Sequence, residues 1–449
     1  MSLCCALGWA PAAFGAPGDH IVTGAATVTP EVTAGVEGRS NAYLADPTDN
    51  PARGHDSPII PAWDFYLSPA LGIDVKGKKI RWTLDGRYEM RKFFEKDIAP
   101  RLDQFSDFHV DTRLEVLPEG VFGFGLHEEA KLRNRPTDEE VSANSLNTQF
   151  RNDLGLDLKF RPGPELDIVP GGGWSYHDYR IPGVTGQVPF DNRNTYEARL
   201  GLAWRFFPNT AFVVDASYLF NRWDQHWLPT GDTGTAADPD TGDAGAVGEY
   251  LALPDSDFFK ASTGIRGRLG RNVLVVLTAG WGFGKYDVAS VVDEANANGG
   301  AATEADGAAV GFDANVTPVE GILASARVSS NFGFDDKQKF GQKLTFEYRK
   351  DFEDSFFTNY VAENHLKLFL ESRFGQYVNT RFEGSVRFES YAGEVTRRDI
   401  FAKVDGALNL TPTRYLTFQV GGYWARRQSS DPGVEYDNVQ GRFLATFAY

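Results

Sequence analysis

Apolar and polar residues alternate along most of this chain with a period of two. In the segment Thr210–Trp223, apolar residues occupy alternate positions, and polar side chains such as Asp215 and Ser217 lie between them. The same alternation recurs in 80–92 and 378–391. A period of two gives a strand one apolar face and one polar face. The pattern therefore predicts strands over nearly the whole chain.

The last residues repeat this pattern clearly. Apolar or small residues lie at 443, 445, 447 and 449, and more polar residues lie at 438, 440 and 442. A final strand that stops on an aromatic residue, here Tyr449, resembles the last strand of a bacterial outer-membrane β-barrel.

Short and long connections alternate between the predicted strands. Eight short connections rich in turn-forming residues lie at 76–79, 118–120, 161–164, 207–209, 270–272, 332–337, 375–376 and 411–414. Nine longer connections lie at roughly 44–60, 93–105, 133–145, 180–192, 225–255, 287–315, 351–359, 392–397 and 428–435. These connections separate 18 strands, and an even number fits short periplasmic turns and longer extracellular loops. The predicted fold is an all-β, transmembrane, antiparallel up-and-down β-barrel.

A soluble all-β protein, such as a propeller or a large sandwich, would also alternate. The predicted strands are about 12–15 residues long, however, whereas strands of soluble sheets usually have about 5–6 residues. Their polar faces also carry dense mixed charge, which suits a water-filled interior. Both features favour the barrel.

Aromatic residues cluster at both ends of the predicted strands. Those beside the short turns are Phe160, Phe206, Phe374, Tyr377 and Tyr415, and those toward the loops are Trp174, Trp223, Tyr286, Tyr391 and Trp424. Aromatic side chains accumulate at membrane interfaces, so the ten are predicted to form two girdles. The segment 273–284 places its glycines on one face, which indicates that something fills the interior there.

The N-terminal residues indicate export. The two cysteines of the chain, Cys4 and Cys5, lie in a short apolar run. Residues 1–16 are interpreted as the remnant of a signal peptide cut near Gly15 or Ala16, 17–29 as a short periplasmic segment and 30–449 as the barrel. The basic part of a signal peptide is missing, so the true start is expected upstream. A mature chain without cysteine excludes a disulfide scaffold.

The formal net charge of −16 comes mainly from two predicted loops. Residues 225–255 and 287–315 hold six acids each and no Lys or Arg. This distribution argues against nucleic-acid binding. The acids of Asp238–Asp243 weakly resemble a calcium loop, but the remaining ligands are absent, so a solvated loop tip is the simpler interpretation.

No motif for catalysis, a metal or a cofactor is present. The seven histidines show no metal-ligand spacing, and there is no nucleophile elbow or phosphate loop. We therefore predict no catalytic, metal or cofactor residues. A barrel enzyme would need a serine and a histidine from different strands, and His365 keeps that third possibility open.

Taken together, the chain resembles a large outer-membrane porin. It is most similar to the group called β-barrel porin 2, whose members often accompany exopolysaccharide secretion genes. The resemblance covers about residues 30–449 and rests on strand number, turn spacing, the Phe447–Tyr449 ending and segments such as Tyr196–Trp204. It implies a channel in the outer membrane and contains no catalytic motif to transfer.

Charged residues on the polar faces are the candidate functional residues. We predict a lumen lining that includes Arg199, Arg205, Asp215, Arg266, Arg268, Glu363, Lys367, Arg373, Arg381, Glu383 and Arg387. Such residues either stiffen the wall as cross-strand ion pairs or select permeants. Because the lining is mixed, a neutral or zwitterionic polymer or small polar solutes suit it better than a polyanion.

The first expectation for function is a pore that secretes an exopolysaccharide. The alternative is a general or solute-specific diffusion porin for small polar solutes, and the third is a barrel enzyme. The expected partners are outer-membrane lipid and lipopolysaccharide, the barrel assembly machinery through the C-terminal strand, and a periplasmic polysaccharide-export protein. No nucleic-acid partner is expected.

Overall fold

The chain forms one continuous sheet of long strands. The structure is a computed structural model that describes residues 21–41, 61–94, 104–133, 148–180, 192–224, 227–229, 250–252, 254–287, 319–333, 340–355, 360–392, 396–431 and 435–449. None of these ranges holds a helix that is long and apolar enough to cross a membrane.

The described ranges contain 21 strands. They are β1 (Ile21–Thr23), β2 (Ala26–Arg39), β3 (Ala62–Lys76), β4 (Ile80–Phe93), β5 (Gln104–Val116), β6 (Phe122–Arg133), β7 (Thr148–Gly163), β8 (Leu166–Arg180), β9 (Arg193–Phe207), β10 (Thr210–Trp223), β11 (Trp227–Pro229), β12 (Tyr250–Ala252), β13 (Asp255–Leu269), β14 (Val273–Asp287), β15 (Val319–Phe332), β16 (Phe340–Asp354), β17 (Tyr360–Phe374), β18 (Val378–Ala392), β19 (Arg397–Thr413), β20 (Leu416–Ser429) and β21 (Tyr436–Ala448).

Eighteen of these strands close into an antiparallel barrel, as predicted. Each long strand pairs with its neighbours in sequence order, and β2 also pairs with β21. The pair Ala26↔Val75 joins β2 to β3, and the pair Arg39↔Gln440 joins β2 to β21. Closure pairs the backbone groups that an open sheet would leave at its edges.

The predicted connections are confirmed at all eight short and all nine long positions, since a strand ends and the next begins at each one. Two turns show why glycine is needed there. Gly270 and Gly375 have φ values of 63° and 66°, in the left-handed region that other residues adopt at a cost. We call the end of the barrel with the short connections the turn end, and the opposite end the loop end.

Three short strands and one boundary differ from the expectation. The first barrel strand begins at Ala26 rather than at residue 30, and β1 folds back on it through the pair Thr23↔Ala26. Strands β11 and β12 form a small hairpin within the long connection 225–255. The predicted signal remnant 1–16 and the acidic segment Asp238–Asp243 lie outside the described residues.

Alternate positions of each strand face outward and inward, as the period of two predicted. In β14, Leu277, Trp281 and Phe283 are exposed on the outside, whereas Gly282 and Gly284 are buried inside. We use inner face for the side opposite the exposed apolar residues. Most buried side chains among the described residues lie on this inner face, toward the loop end.

Candidate functional site

The inner face is open at the turn end of strands β4 and β5. Arg81 and Asp85 of β4 and Asp111 and Arg113 of β5 point inward, and all four are exposed. Charged side chains stay exposed inside a closed wall only where water surrounds them. Toward the loop end, the inner face of these strands is no longer exposed. Arg91, on the same face of β4, is buried there.

A buried ion network closes the loop end beside the first strand. Glu37 of β2 accepts hydrogen bonds from Arg91 of β4 and from Gln440 of β21. Arg39 lies 3.3 Å from Glu37 and 3.2 Å from Asp64, which is fully buried. We call these five residues the Glu37 network. Its two arginines balance its two carboxylates, so it stiffens and narrows the barrel without adding net charge.

A second buried network lies on β18, β19 and β20. The guanidinium of Arg427 lies 3.4 Å from Glu389 and 3.8 Å from Asp399, while Arg397 lies 3.0 Å from Asp399. Arg397 also stacks over the ring of Tyr391 at 4.2 Å from its centroid. We call Glu389, Arg397, Asp399 and Arg427 the Asp399 network. Its charges also cancel.

The loop ends of β16 and β17 lean into the barrel. Pairing between β15 and β16 stops at Ala324↔Lys350, whereas pairing between β16 and β17 continues to Asp354↔Tyr360. The last residues of β16 have therefore left the wall on one side. We call residues 351–355 and 360–362 the inner hairpin.

Apolar contacts hold the inner hairpin inside. Phe352 packs against Phe258 of β13 with their ring centroids 6.0 Å apart, and it also joins Val319 and Leu323 of β15 in one buried cluster. A Cβ atom on Gly282 would lie 2.8 Å from Phe352 Cζ. This contact explains the glycine at 282, on the face of β14 where the sequence indicated that something fills the interior, and Phe258 lies against Gly284 on the same face.

Two ion pairs connect the inner hairpin to strands on other parts of the wall. Lys260 Nζ of β13 lies 2.8 Å from Asp351 Oδ1. Arg193 Nη1 of β9 lies 3.3 Å from Asp354 Oδ2, although four strands separate β9 from β16 along the wall. Strands this far apart along the wall can be joined only by side chains that extend into the interior. The inner hairpin therefore narrows the interior at the loop end of the barrel.

The outer face is apolar all the way round. Exposed aliphatic residues include Leu200, Leu277, Ile322, Val404 and Val420. Aromatic pairs lie at the turn end, such as Phe122–Phe160 at 4.9 Å and Phe340–Phe374 at 5.5 Å between centroids. A closed barrel with this outer surface is stable only in lipid, with its aromatic residues at the interface. The chain is an outer-membrane β-barrel of porin architecture.

Three aromatic residues predicted for the outer girdle lie inside the barrel instead. Trp223, Tyr286 and Tyr391 occupy inward positions, and Trp223 stacks with Arg193 at 5.4 Å. Each of the three lies one residue before or after an outward position of its strand, and therefore on an inward position. Trp174 and Trp424 do lie outside, where their indole groups donate hydrogen bonds to Asn194 and Asp437.

Known structures share the barrel at low similarity. The outer-membrane protein OpdK of Pseudomonas aeruginosa is 10% identical with a TM-score of 0.40, and the match covers 94% of this chain and 98% of that one. A BenF-like porin of Pseudomonas fluorescens Pf-5 is 9% identical with a TM-score of 0.44, covering 94% and 99%. OccAB3 of Acinetobacter baumannii is 9% identical with a TM-score of 0.41 and the same coverage.

No family model matches this sequence, and no curated protein matches it either. The resemblance to the β-barrel porin 2 group stays a prediction from the sequence. The architecture itself follows from the strand pairing described above.

The structure places all eleven predicted lining residues on the inner face of the barrel, and none of them is fully buried. Lys367 and Arg381 meet at Glu383, at 2.9 and 3.1 Å. Further ion pairs join lining residues to other inner-face acids or bases: Arg199 to Asp157, Arg205 to Asp167, Glu363 to Arg349 and Arg387 to Glu389. Arg266 and Arg268 make no ion pair with a described residue. Whether these residues line the route of a permeant stays a prediction.

Several inner-face residues were missed from the sequence. They are the members of the Glu37 network, the residues Arg397, Asp399 and Arg427 of the Asp399 network, and the residues of the inner hairpin with their partners. The strand period already placed Glu37, Arg91 and Arg427 on inner faces, so it could have found their orientation. Their burial depends on contacts between distant strands, which no local pattern shows.

Catalytic or metal chemistry gains no support from the described residues. His365 Nδ1 lies 3.5 Å from Glu363 Oε1, and the positions directly opposite carry Arg349 and Arg387 rather than a serine. No group of three His, Cys, Asp or Glu residues that could hold a metal occurs within the described ranges.

Proposed function

We propose that this barrel is a passive diffusion channel for small polar solutes. The observation that carries the proposal is the exposure of Arg81, Asp85, Asp111 and Arg113 inside a closed wall. A barrel of 18 strands is wide enough to hold water once its interior is not filled by side chains. The exposure of these charged side chains supports an aqueous interior that opens at the turn end.

Mixed charge supports small solutes as the permeants. Many inner-face charges occur as pairs between neighbouring strands, such as Lys367 of β17 with Glu383 of β18 at 2.9 Å. A paired lining offers both donors and acceptors and creates only a moderate net field. It suits polar solutes of either charge better than a long polyanion.

Secretion of an exopolysaccharide, the first expectation from the sequence, gains less support than its alternative. A polymer needs an unobstructed path, and the inner hairpin sends Phe352 and Asp354 into the loop end. A narrowed interior is compatible with passage of small solutes. We therefore favour the diffusion channel.

Single-channel recording tests this function. The purified protein in planar bilayers should give stepwise ion currents, and liposomes that contain it should take up small sugars but retain dextran. A barrel that passes neither ions nor sugars, although fully folded, would defeat the channel proposal.

The proposed lining is tested by charge removal. Replacing Arg266, Arg268, Arg381 and Arg387 together by Gln should shift ion selectivity toward cations, because these bases raise the local anion concentration. The matched control replaces Lys79, Arg271, Arg398 and Arg414, which lie in turns or outside the inner face and carry the same total charge. Equal shifts in both proteins would show that the four inner-face arginines do not line the route.

Gene deletion separates the diffusion channel from secretion. The deletion strain should take up small polar nutrients more slowly and keep its surface polysaccharide. Polymer trapped in the periplasm, with normal uptake of small solutes, would instead support secretion.

A further inference from the structure

A cavity lies in the inner wall at the turn end. Its volume is about 530 Å³, and it is bounded by β3, β4 and β5, by the turn at 77–78 and by Glu119 of the next turn. Binding sites for small molecules usually have volumes of about 300–1,000 Å³. The cavity is therefore large enough for a small solute.

Strand register brings charged residues together at this cavity. Arg81 lies directly opposite Lys76 of β3 and Glu115 of β5, and Thr83 lies directly opposite Arg113. Directly opposite side chains on one face of a sheet are about 4.5–5.5 Å apart at Cβ. The turn adds Lys78 at the rim of the cavity.

The acids of the cavity are already engaged. Lys76 lies 2.7 Å from Asp74, and Lys159 of β7 lies 2.7 Å from Glu115. Arg81 forms an ion pair with Glu119. These three pairs use every carboxylate that lines the cavity.

Two bases of the cavity remain available. The side chains of Lys78 and Arg113 make no hydrogen bond or ion pair with any described residue. Arg113 interacts with Asp111 and Glu115 of its own strand only through longer-range electrostatics. Both side chains are exposed, so no burial prevents a ligand from reaching them.

We propose that this cavity binds an oxyanion, the carboxylate or phosphate group of a small solute, between Arg113 and Lys78. A guanidinium offers two parallel donors that match such a group, and an ammonium adds a point charge. The site gives the proposed channel a binding step at its turn end. This inference rests on the proposed function, because the solute reaches the cavity through the open interior of the channel.

Equilibrium binding tests the site independently of current. The full protein in detergent is titrated calorimetrically with inorganic phosphate and, separately, with citrate. Arg113→Gln should weaken binding at least about tenfold, since a hydrogen bond to a charged group contributes that much or more. Lys78→Gln lies in an exposed turn, so it should fold and should also weaken binding.

Two further variants complete the test. Lys79→Gln removes the same charge from the same turn but does not line the cavity, so it should leave affinity unchanged. Glu119→Gln should tighten binding, because it releases Arg81 for the anion. Equal losses in the Lys78 and Lys79 variants, or unchanged affinity in the Arg113 variant, would overturn the site.

The outcomes also separate the site from the channel. Protein that conducts ions but binds neither phosphate nor citrate contradicts the site alone. Protein that binds phosphate through Arg113 but passes no current supports the site and contradicts the channel.

Discussion

Each strand residue in this barrel meets one of two environments, and a shift of one position exchanges them. Lys403 and Val404 are neighbours in β19. Lys403 Nζ lies 5.4 Å from the ring centroid of Tyr423 on the inner face, whereas Val404 is 38% exposed on the outer face. The register of the strand therefore decides how much a charge costs at each position.

A pair of substitutions measures this difference. Val404→Arg places a charge among acyl chains and should lower the free energy of unfolding by about 2–4 kcal/mol if it lies near the bilayer midplane. Lys403→Arg should change it little. Urea titrations of the protein refolded in lipid vesicles give both values, and equal tolerance at the two positions would refute the assigned register.

Residue orientation could be predicted from the sequence, but burial could not. The period of two correctly oriented Val404 and the eleven inner-face charges, because orientation is a local property. Trp223, Tyr286 and Tyr391 were placed in the outer girdle because aromatic residues near a strand end usually lie there. In the alternation of inward and outward positions along each strand, these three residues fall on inward positions. This alternation decides the orientation more strongly than closeness to a strand end.

At the scale of elements, the inner hairpin is the feature that sets the width of the loop end. It consists of strand ends whose pairing to β15 has stopped, and it is held by Phe352, Asp351 and Asp354. The sequence located this connection at 351–359 but gave no sign that it folds inward. That direction depends on partners in β9 and β13, which are far away in the chain.

Loss of one ion pair should loosen the hairpin. Asp354→Ala removes the ion pair between Asp354 and Arg193, and removing one member of a buried pair costs about 3–5 kcal/mol. We expect a larger single-channel conductance, because the hairpin loses its contact with β9 while it keeps its contacts with β13. Arg193→Gln should act in the same direction.

The control for this prediction is Arg442→Gln, which breaks the pair with Asp405. That pair joins β21 to β19 along the wall and does not cross the barrel. Its loss should leave conductance unchanged. A conductance that rises equally in the control would show that the inner hairpin is not the constriction.

At the scale of the molecule, alternation of short and long connections fixes the orientation in the membrane. A protease site inserted between Thr233 and Gly245, in a loop outside the described residues, should be cut on intact cells. A site inserted at the turn Gly270–Arg271 should be cut only after the outer membrane is opened. The opposite result would reverse the orientation, and cleavage at both sites in intact cells would exclude a membrane-spanning barrel.

The end of pairing between β15 and β16 also has a mechanical consequence. Residues 319–323 of β15 pair with β14 but have no partner on β16, so the wall has a seam at the loop end. Backbone amides there should exchange with deuterium faster than those of 324–330, which are paired on both sides, and mass spectrometry can compare the two segments. Uniform protection along β15 would contradict the seam. If the seam exists, unfolding of the barrel should begin there with the loss of pairing between β15 and β16, and the closed barrel would become an open sheet with two free edges.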